Sequence, residues 1–196
     1  MSNKYYLKIE SDFSSEEIKE NTQIINVNQS GLERIKENNF ANDFLSHFII
    51  NLNVEGAEVE FLGKYKSEMN LCDISCVINH NANNTKSKIN IRGIAKGGGK
   101  IISRSKINVK ENLKNIIGIE DLKFIPIFKN DLKNDLFEER RGEIDATPEI
   151  NVLSKDVSIT HSLSISKISE KELWYRRLHG SSMAESICNF EEDFLK

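Results

Sequence analysis

The sequence predicts a mainly β protein, folded as a sandwich, a barrel or a solenoid, and three observations support this prediction. Short runs rich in isoleucine and valine recur about every ten residues from residue 42 onward. Glycine and asparagine separate the runs, as in residues 79–84, where turns favour left-handed backbone. Asn-Gly and Asp-Gly hairpin signals do not occur in the sequence. Because the coils of a solenoid need no tight hairpins, this favours a solenoid.

The composition is that of an ordinary globular chain. Its 196 residues suffice for one domain with a substantial core, and 38% of them are hydrophobic and 29% charged. A net charge of -3 provides no general attraction to nucleic acid. No apolar run approaches the roughly 18 residues of a membrane span, and the first residues lack the apolar core of a signal peptide. Three cysteines are too few for a disulfide framework, so we expect a reducing, cytoplasmic environment. From the net charge and the lack of an apolar span we expect neither nucleic-acid nor membrane partners.

The chain divides into three predicted parts. Residues 1–41 are predicted to be a loosely attached N-terminal extension, in which residues 5–10 alternate like an edge strand and residues 31–40 are interpreted as a short helix. Residues 42–168 contain the strand runs and form the predicted core. A charged stretch, residues 129–142, interrupts these runs and is expected to be a loop or a short helix.

The third part, residues 169–196, is predicted to form two short helices. Ser169 is a good N-cap and Glu172 stands at the third helical position, so this pair predicts a capping box. Gly180 is expected to end the first helix. The second helix covers residues 182–194 and carries an apolar stripe of Met183, Ile187, Phe190 and Phe194.

Three phrases toward the end of the chain carry a family resemblance. They are DATPEINV at residues 145–152, DVSITH at residues 156–161 and KISEKELWYRRLHG at residues 167–180. A further match, INHNANNTKSKINIRGIAKGGGK, covers residues 78–100. Their order and spacing resemble the C-terminal core of SufB and SufD, the scaffold subunits of the SUF iron–sulfur cluster assembly machinery. The resemblance implies a right-handed parallel β-helix over residues 42–168, followed by short C-terminal α-helices.

The resemblance also implies partners and cargo. A chain of this family would be a non-catalytic scaffold that carries a transient iron–sulfur cluster, works with a SufC-like ABC ATPase, and pairs with a second copy or with a SufB-like subunit. We expect the chain itself to bind no nucleotide, because residues 93–100 (GIAKGGGK) are out of register with a phosphate loop and lack its Ser or Thr. The C-terminal helices would dock the ATPase through Glu172, Trp174, Tyr175, Arg177, Gly180 and Ala184.

His161 is the foremost metal-ligand candidate, because the resemblance places a SufD histidine of the subunit interface at this position and imidazole suits Fe(II). The further candidates are Glu143, Cys72, Cys76 and His80. Cys72 and Cys76 would lie on one face of a strand about 13 Å apart, too far to hold one ion together, so core packing is their alternative role. For His80 the alternative is a structural hydrogen bond.

Two departures from the family pattern keep other functions open. The SufB cysteine that is thought to anchor the nascent cluster falls at about Gly142, where this chain has no thiol, and the family's His-Gly-Ala or His-Glu-Ala is here His161-Ser162-Leu163. A cluster-free, SufD-like module that docks the ATPase or a longer SufB partner is therefore the alternative. A mononuclear metal enzyme using His161, His80 and Glu143 is a more distant one.

Overall fold

The structure is a computed structural model that describes residues 22–40, 43–127 and 141–196. These residues form ten strands and two helices. In chain order the elements are β1 (Thr22–Val27), β2 (Gly31–Asn39), β3 (Phe44–Leu52), β4 (Ala57–Glu68), β5 (Leu71–His80), β6 (Lys86–Lys96), β7 (Lys100–Val109), β8 (Lys114–Ile127), β9 (Glu143–Val152), β10 (Asp156–Ile165), α1 (Glu170–Leu178) and α2 (Met183–Phe194).

The strands form two parallel sheets through which the chain passes alternately. Sheet A has the order β1-β3-β5-β7-β9, and sheet B has the order β10-β8-β6-β4-β2. Each strand therefore pairs with the strand two places along the chain, and the result is a β-solenoid of about 4 turns with two short C-terminal helices. The predicted β-helix is confirmed.

Like residues stack on like from coil to coil, both inside and outside the solenoid. Ile50, Ile78 and Ile107 occupy successive register positions of sheet A and are fully buried. One residue further along each strand, an asparagine ladder faces outward. The amides of Asn51, Asn79 and Asn108 donate in turn to the asparagine of the preceding coil at 2.8–2.9 Å. Several asparagines thus form hydrogen bonds between neighbouring strands. Among the asparagines of residues 79–84, which were expected to favour left-handed turns, Asn84 has this backbone conformation.

The first coil differs from the prediction. Residues 31–40 were interpreted as a short helix, which is wrong, because β2 runs from Gly31 to Asn39 and pairs with β4. An acidic residue at an inward position hid the strand pattern: Glu37 faces the core, where it accepts hydrogen bonds from the hydroxyls of Tyr65 at 2.7 Å and Ser46 at 2.9 Å. The coils therefore begin before residue 42. The predicted strand at residues 5–10 lies outside the described residues, as does nearly all of the charged stretch.

The helices lie on the outer face of sheet B. Phe190 of α2 packs on Ile94, Ile125 and Ile127, which form a second apolar cluster outside the solenoid. Glu191, only 3% exposed, binds the ammonium groups of Lys66 at 2.5 Å and Lys96 at 3.2 Å. These contacts fix α2 to β4, β6 and β8. Both described helices are too short to cross a membrane.

The predicted capping box is on the wrong helix. Ser169 is the N-cap of α1, but its side chain makes no capping hydrogen bond. The box occurs at α2 instead, where Ser182 accepts from the Glu185 amide at 3.2 Å and the Glu185 carboxylate accepts from the Ser182 amide at 2.8 Å. Of the apolar stripe predicted for α2, Ile187, Phe190 and Phe194 pack in this second apolar cluster, whereas Met183 does not belong to it.

His80 ends β5 inside the core. Its Nδ1 lies 2.7 Å from the Thr85 hydroxyl and its Nε2 lies 2.9 Å from the Ser87 hydroxyl. Burial favours the neutral imidazole and lowers the pKa of His80 from 6.5 to about 4. Through these two hydrogen bonds His80 connects the end of β5 with the end of the following turn and the start of β6.

The burial of His80 predicts a loss of stability in mild acid. Since its folded-state pKa lies below its unfolded value, the unfolded chain takes up the proton first as the pH falls from 6.5 toward 4, and His80 then opposes folding. We expect its contribution to the free energy of unfolding to drop by about 2 kcal/mol between pH 7 and pH 5. Urea unfolding of the wild type and of His80→Gln at both pH values measures the difference.

The matched control for this measurement is His179→Gln, which changes an exposed histidine at the end of α1. It should show the pH dependence of the wild type, while His80→Gln should be less stable at pH 7 and lose less on acidification. An unchanged pH dependence in His80→Gln would contradict the assignment.

Candidate functional site

His161 lies on the last strand of sheet B. It belongs to β10, whose only neighbour in the sheet is β8, and its register partner there is Glu120. Registered residues on parallel neighbours point to the same side of the sheet. Since Glu120 faces the core, His161 faces inward too, although it is exposed, because no coil in the described ranges covers this end of the solenoid.

This uncovered end, the open end of the solenoid, consists of the inward-facing rows of β9 and β10. Apolar side chains dominate it, and Leu163 and Ile165 remain 39% and 47% exposed. Within the described sheets, β9 and β10 also pair on one side only, so each presents an edge of unpaired backbone groups. The open end combines an apolar surface, two strand edges and one imidazole. The inward rows are Ile144, Ala146, Pro148, Ile150 and Val152 of β9, and Val157, Ile159, His161, Leu163 and Ile165 of β10.

Glu120 lies on β8, one coil further into the solenoid than its register partner His161, and is 1% exposed. Neither of its carboxylate oxygens has a hydrogen-bond partner among the described residues. Burial raises the pKa of Glu120 above its ordinary value, although the nearby Ser105 hydroxyl and His161 favour the charged form. Glu120 was not among the sequence-based candidates. The alternation of β8 in the sequence could have identified it, because Glu120 occupies the inward position between Gly118 and Leu122.

Cys72 and Cys76 both point into the core from β5. Burial raises the pKa of Cys72 to about 12 and that of Cys76 well above its ordinary value, with a further contribution from Glu120 in the case of Cys76. Metals bind the thiolate rather than the thiol. Their arrangement therefore favours the core-packing alternative over a ligand role.

The remaining metal candidates are not brought together. Glu143 begins β9 in sheet A, and its exposed carboxylate lies 3.3 Å from the Lys100 ammonium. His80 has both ring nitrogens engaged in the core. Within the described ranges, no group of three or more histidine, cysteine, aspartate or glutamate side chains is arranged to hold a metal ion.

Gly142, at about which the resemblance places the SufB cysteine, has no room for a side chain. Gly142 is buried, and a Cβ atom added there would lie 2.0 Å from the carbonyl oxygen of Ala95 and 2.3 Å from its carbonyl carbon. A thiol at this position would require the backbone of β6 or of Gly142 to move. The packing of Gly142 against Ala95 is therefore incompatible with a cysteine at this position.

The first C-terminal helix presents an uncovered apolar face. Trp174, Tyr175 and Leu178 are each 61% exposed and define what we call the α1 face. The opposite side of α1 is held by α2, where Arg176 binds the Asp193 carboxylate at 3.0 Å.

The predicted docking residues are distributed around this face. Arg177, Gly180 and Ala184 are exposed. Glu172 is half-buried and binds Arg176 at 3.2 Å, so it also supports the helix pair.

Comparison with known proteins agrees with this geometry. A family model described as SUF system FeS cluster assembly, SufBD core domain, matches residues 20–187. An iron–sulfur cluster assembly SufBD family protein of Staphylococcus epidermidis is 27% identical over 148 residues, which cover 72% of this chain and 29% of that protein. Relatives from Staphylococcus haemolyticus and Staphylococcus aureus are 27% identical over 143 residues, which cover 70% of this chain and 27% of each relative.

The chain thus spans less than a third of the length of these relatives. The matched segment nevertheless contains all ten strands that the structure describes, together with the open end and α1. From this match and from the solenoid itself, the chain belongs to the SufBD family of the SUF iron–sulfur cluster assembly system.

Proposed function

We propose that this chain is a non-catalytic scaffold subunit for iron–sulfur cluster assembly, and that its α1 face docks a SufC-like ABC ATPase. The observation that carries the proposal is the uncovered α1 face, which stands on a helix pair fixed to the same sheet that bears His161. In this arrangement the cluster is cargo, and the partner supplies ATP hydrolysis.

The α1 face has the composition of a protein interface. Tryptophan and tyrosine are enriched among the residues that dominate binding energy, and here they stand side by side with Leu178. Arg177 adds an exposed guanidinium next to them. An apolar group of this kind, with a charge at its rim, suits a stable but reversible contact with another folded protein.

Sheet B provides a physical connection between the α1 face and the open end. Arg176 joins α1 to α2, and Glu191 and Phe190 join α2 to β4, β6 and β8. The next strand of the same sheet is β10, which carries His161. Dimerisation of two docked ATPase subunits on nucleotide binding would therefore pull on this sheet and favour a conformation in which the cluster ligands are accessible.

The open end suits pairing with a second scaffold subunit. Its strand edges can accept hydrogen bonds from another chain, and its exposed Leu163 and Ile165 would be covered on association. Either a second copy or a longer SufB-like subunit could supply that surface. His161 would then lie at the boundary between two scaffold subunits, where a transient cluster can be built and released.

A cluster-free, SufD-like module is the second candidate function, and Gly142 favours it. Because the packing against Ala95 leaves no room for a thiol, a SufB-type cysteine ligand is excluded at this position. Such a module would keep the α1 face and the open end for docking, while a longer partner would hold the cluster.

The docking proposal predicts that the paired variant Trp174→Ala/Tyr175→Ala loses the ATPase. Removing two central aromatic anchors should weaken the complex with the cognate SufC-like ATPase by roughly three orders of magnitude, since each anchor of this kind contributes about 2 kcal/mol and every 1.4 kcal/mol is a factor of ten. Co-purification and isothermal titration with the purified ATPase measure the effect.

Glu192→Ala on α2 is the matched control, because Glu192 is exposed and lies on the other C-terminal helix, outside the α1 face. It should bind like the wild type. Unchanged ATPase affinity in the Trp174→Ala/Tyr175→Ala protein, or a wild type that does not bind the ATPase at all, would refute the docking proposal.

The scaffold proposal predicts that His161→Ala lowers the cluster yield. Anaerobic reconstitution of the wild type with ferrous iron and sulfide should produce visible cluster absorbance with matching iron and acid-labile sulfide. The variant should retain much less of each, because it lacks the exposed imidazole of the open end.

His179→Ala provides the control for an exposed histidine that ends α1 and is not part of the open end, and it should reconstitute normally. A wild type that forms no cluster alone or with its scaffold partner would leave the cluster-free module as the correct function. A cluster yield equal to that of the wild type in His161→Ala would remove His161 from the ligand set.

A further inference from the structure

We propose that Glu120 and His161 together form a two-ligand site for a divalent transition-metal ion, ferrous iron in the scaffold, at the open end of the solenoid. This inference rests on the proposed scaffold function and deepens it, because it assigns a second protein ligand beside His161. It also assigns the site an internal carboxylate in place of a thiolate.

The register of sheet B brings the two side chains together. His161 and Glu120 are register partners on β10 and β8, adjacent parallel strands whose separation is about 4.8 Å, and both side chains point to the inner side of the sheet. An imidazole nitrogen and a carboxylate oxygen each bind such ions at about 2.0–2.2 Å. Two ligands on neighbouring strands can therefore share one ion with rotamer changes alone.

Glu120 is a buried carboxylate whose polar neighbours, the Ser105 hydroxyl and His161, do not reach hydrogen-bonding geometry with it. Both of its oxygens lack hydrogen bonds among the described residues, although it is 1% exposed. Native proteins satisfy nearly all buried polar groups, and an unsatisfied one calls for an explanation such as a bound ion. The register partner of Glu120 on the side of the open end is His161.

The surroundings of Glu120 are polar where the neighbouring layers are apolar. Ser103 and Ser105 of β7 are buried inside the same coil, and the Ser105 hydroxyl lies close enough to Glu120 to favour its charged form. The adjacent inward positions of that strand are Ile101 and Ile107. Hydroxyl groups in the layer that holds Glu120 can solvate an ion and its bound water.

The chemistry of the pair selects the class of ion. One nitrogen and one oxygen ligand suit borderline ions such as Fe(II) and Co(II) better than the soft ions that prefer thiolates. Two protein ligands also leave several coordination positions facing outward from the open end. Sulfide, water or a ligand from a second subunit can occupy them, as cluster assembly requires.

Titration with Co(II) under anaerobic conditions tests the site, because the visible bands of Co(II) report its ligands and geometry. The full chain is compared with Glu120→Gln, His161→Gln and the control Glu149→Gln. Glu149 also lies on a strand of the last coil, but it faces outward and binds Lys106 at 3.1 Å. We expect Glu120→Gln and His161→Gln each to weaken Co(II) binding by about tenfold or more, and Glu149→Gln to leave it unchanged.

X-ray absorption at the cobalt edge of the wild-type protein provides a second test that does not depend on the folding of any variant. It should show one imidazole and otherwise oxygen ligands. Sulfur in the coordination sphere would overturn the proposal by assigning the ion to a cysteine. Wild-type affinity in Glu120→Gln, or no Co(II) binding by the wild type, would overturn it as well.

These outcomes are distinct from failure of the scaffold function. If Co(II) binds through Glu120 and His161 while iron and sulfide form no cluster, the ion site stands and the scaffold proposal fails. If the cluster forms and depends on His161 but not on Glu120, the scaffold proposal stands and the present inference fails.

Discussion

The parallel register between coils is the constraint on which the rest of the structure depends. Each inward position must be filled by a side chain that stacks on its counterpart one coil away, which is why Ile50, Ile78 and Ile107 align inside while asparagines align outside. The same rule means that the last coil exposes the inner face that another coil would otherwise cover. The open end, its apolar surface and the exposure of His161 all follow from this termination.

The register also explains why the candidate site is sparse in ligands. Inward side chains are closely packed, so Cys72 and Cys76 become core residues with unreactive thiols, and Gly142 has no space for any side chain. Among the residues that the structure describes, inward polar groups are hydrogen-bonded, as at His80 and Glu37, or lie in the coil next to the open end, as at Glu120. The candidate ligands Glu120 and His161 therefore lie at the open end of the solenoid rather than in its packed interior.

Sheet B joins that end to the helices. The strands β4, β6 and β8 carry α2 on their outer face, and β10 continues the same sheet to His161. The buried Glu191 with its two lysines makes this attachment specific, since an unpaired carboxylate there would be costly. A partner on the α1 face would therefore act on a rigid sheet rather than on a flexible tail, which is the mechanical requirement of the proposed scaffold.

The sequence by itself determined the strand-rich solenoid, the two terminal helices, the apolar stripe of α2 and the family, because periodicity and motif spacing are local properties of the chain. It did not determine the first coil, since the inward Glu37 disguises β2 and its hydroxyl partners come from other strands. The pairing of Glu120 with His161 likewise depends on residues 41 positions apart meeting through the coil register. Only the tertiary structure could decide these points, because neighbouring coils determine whether a buried polar group has a hydrogen-bond partner.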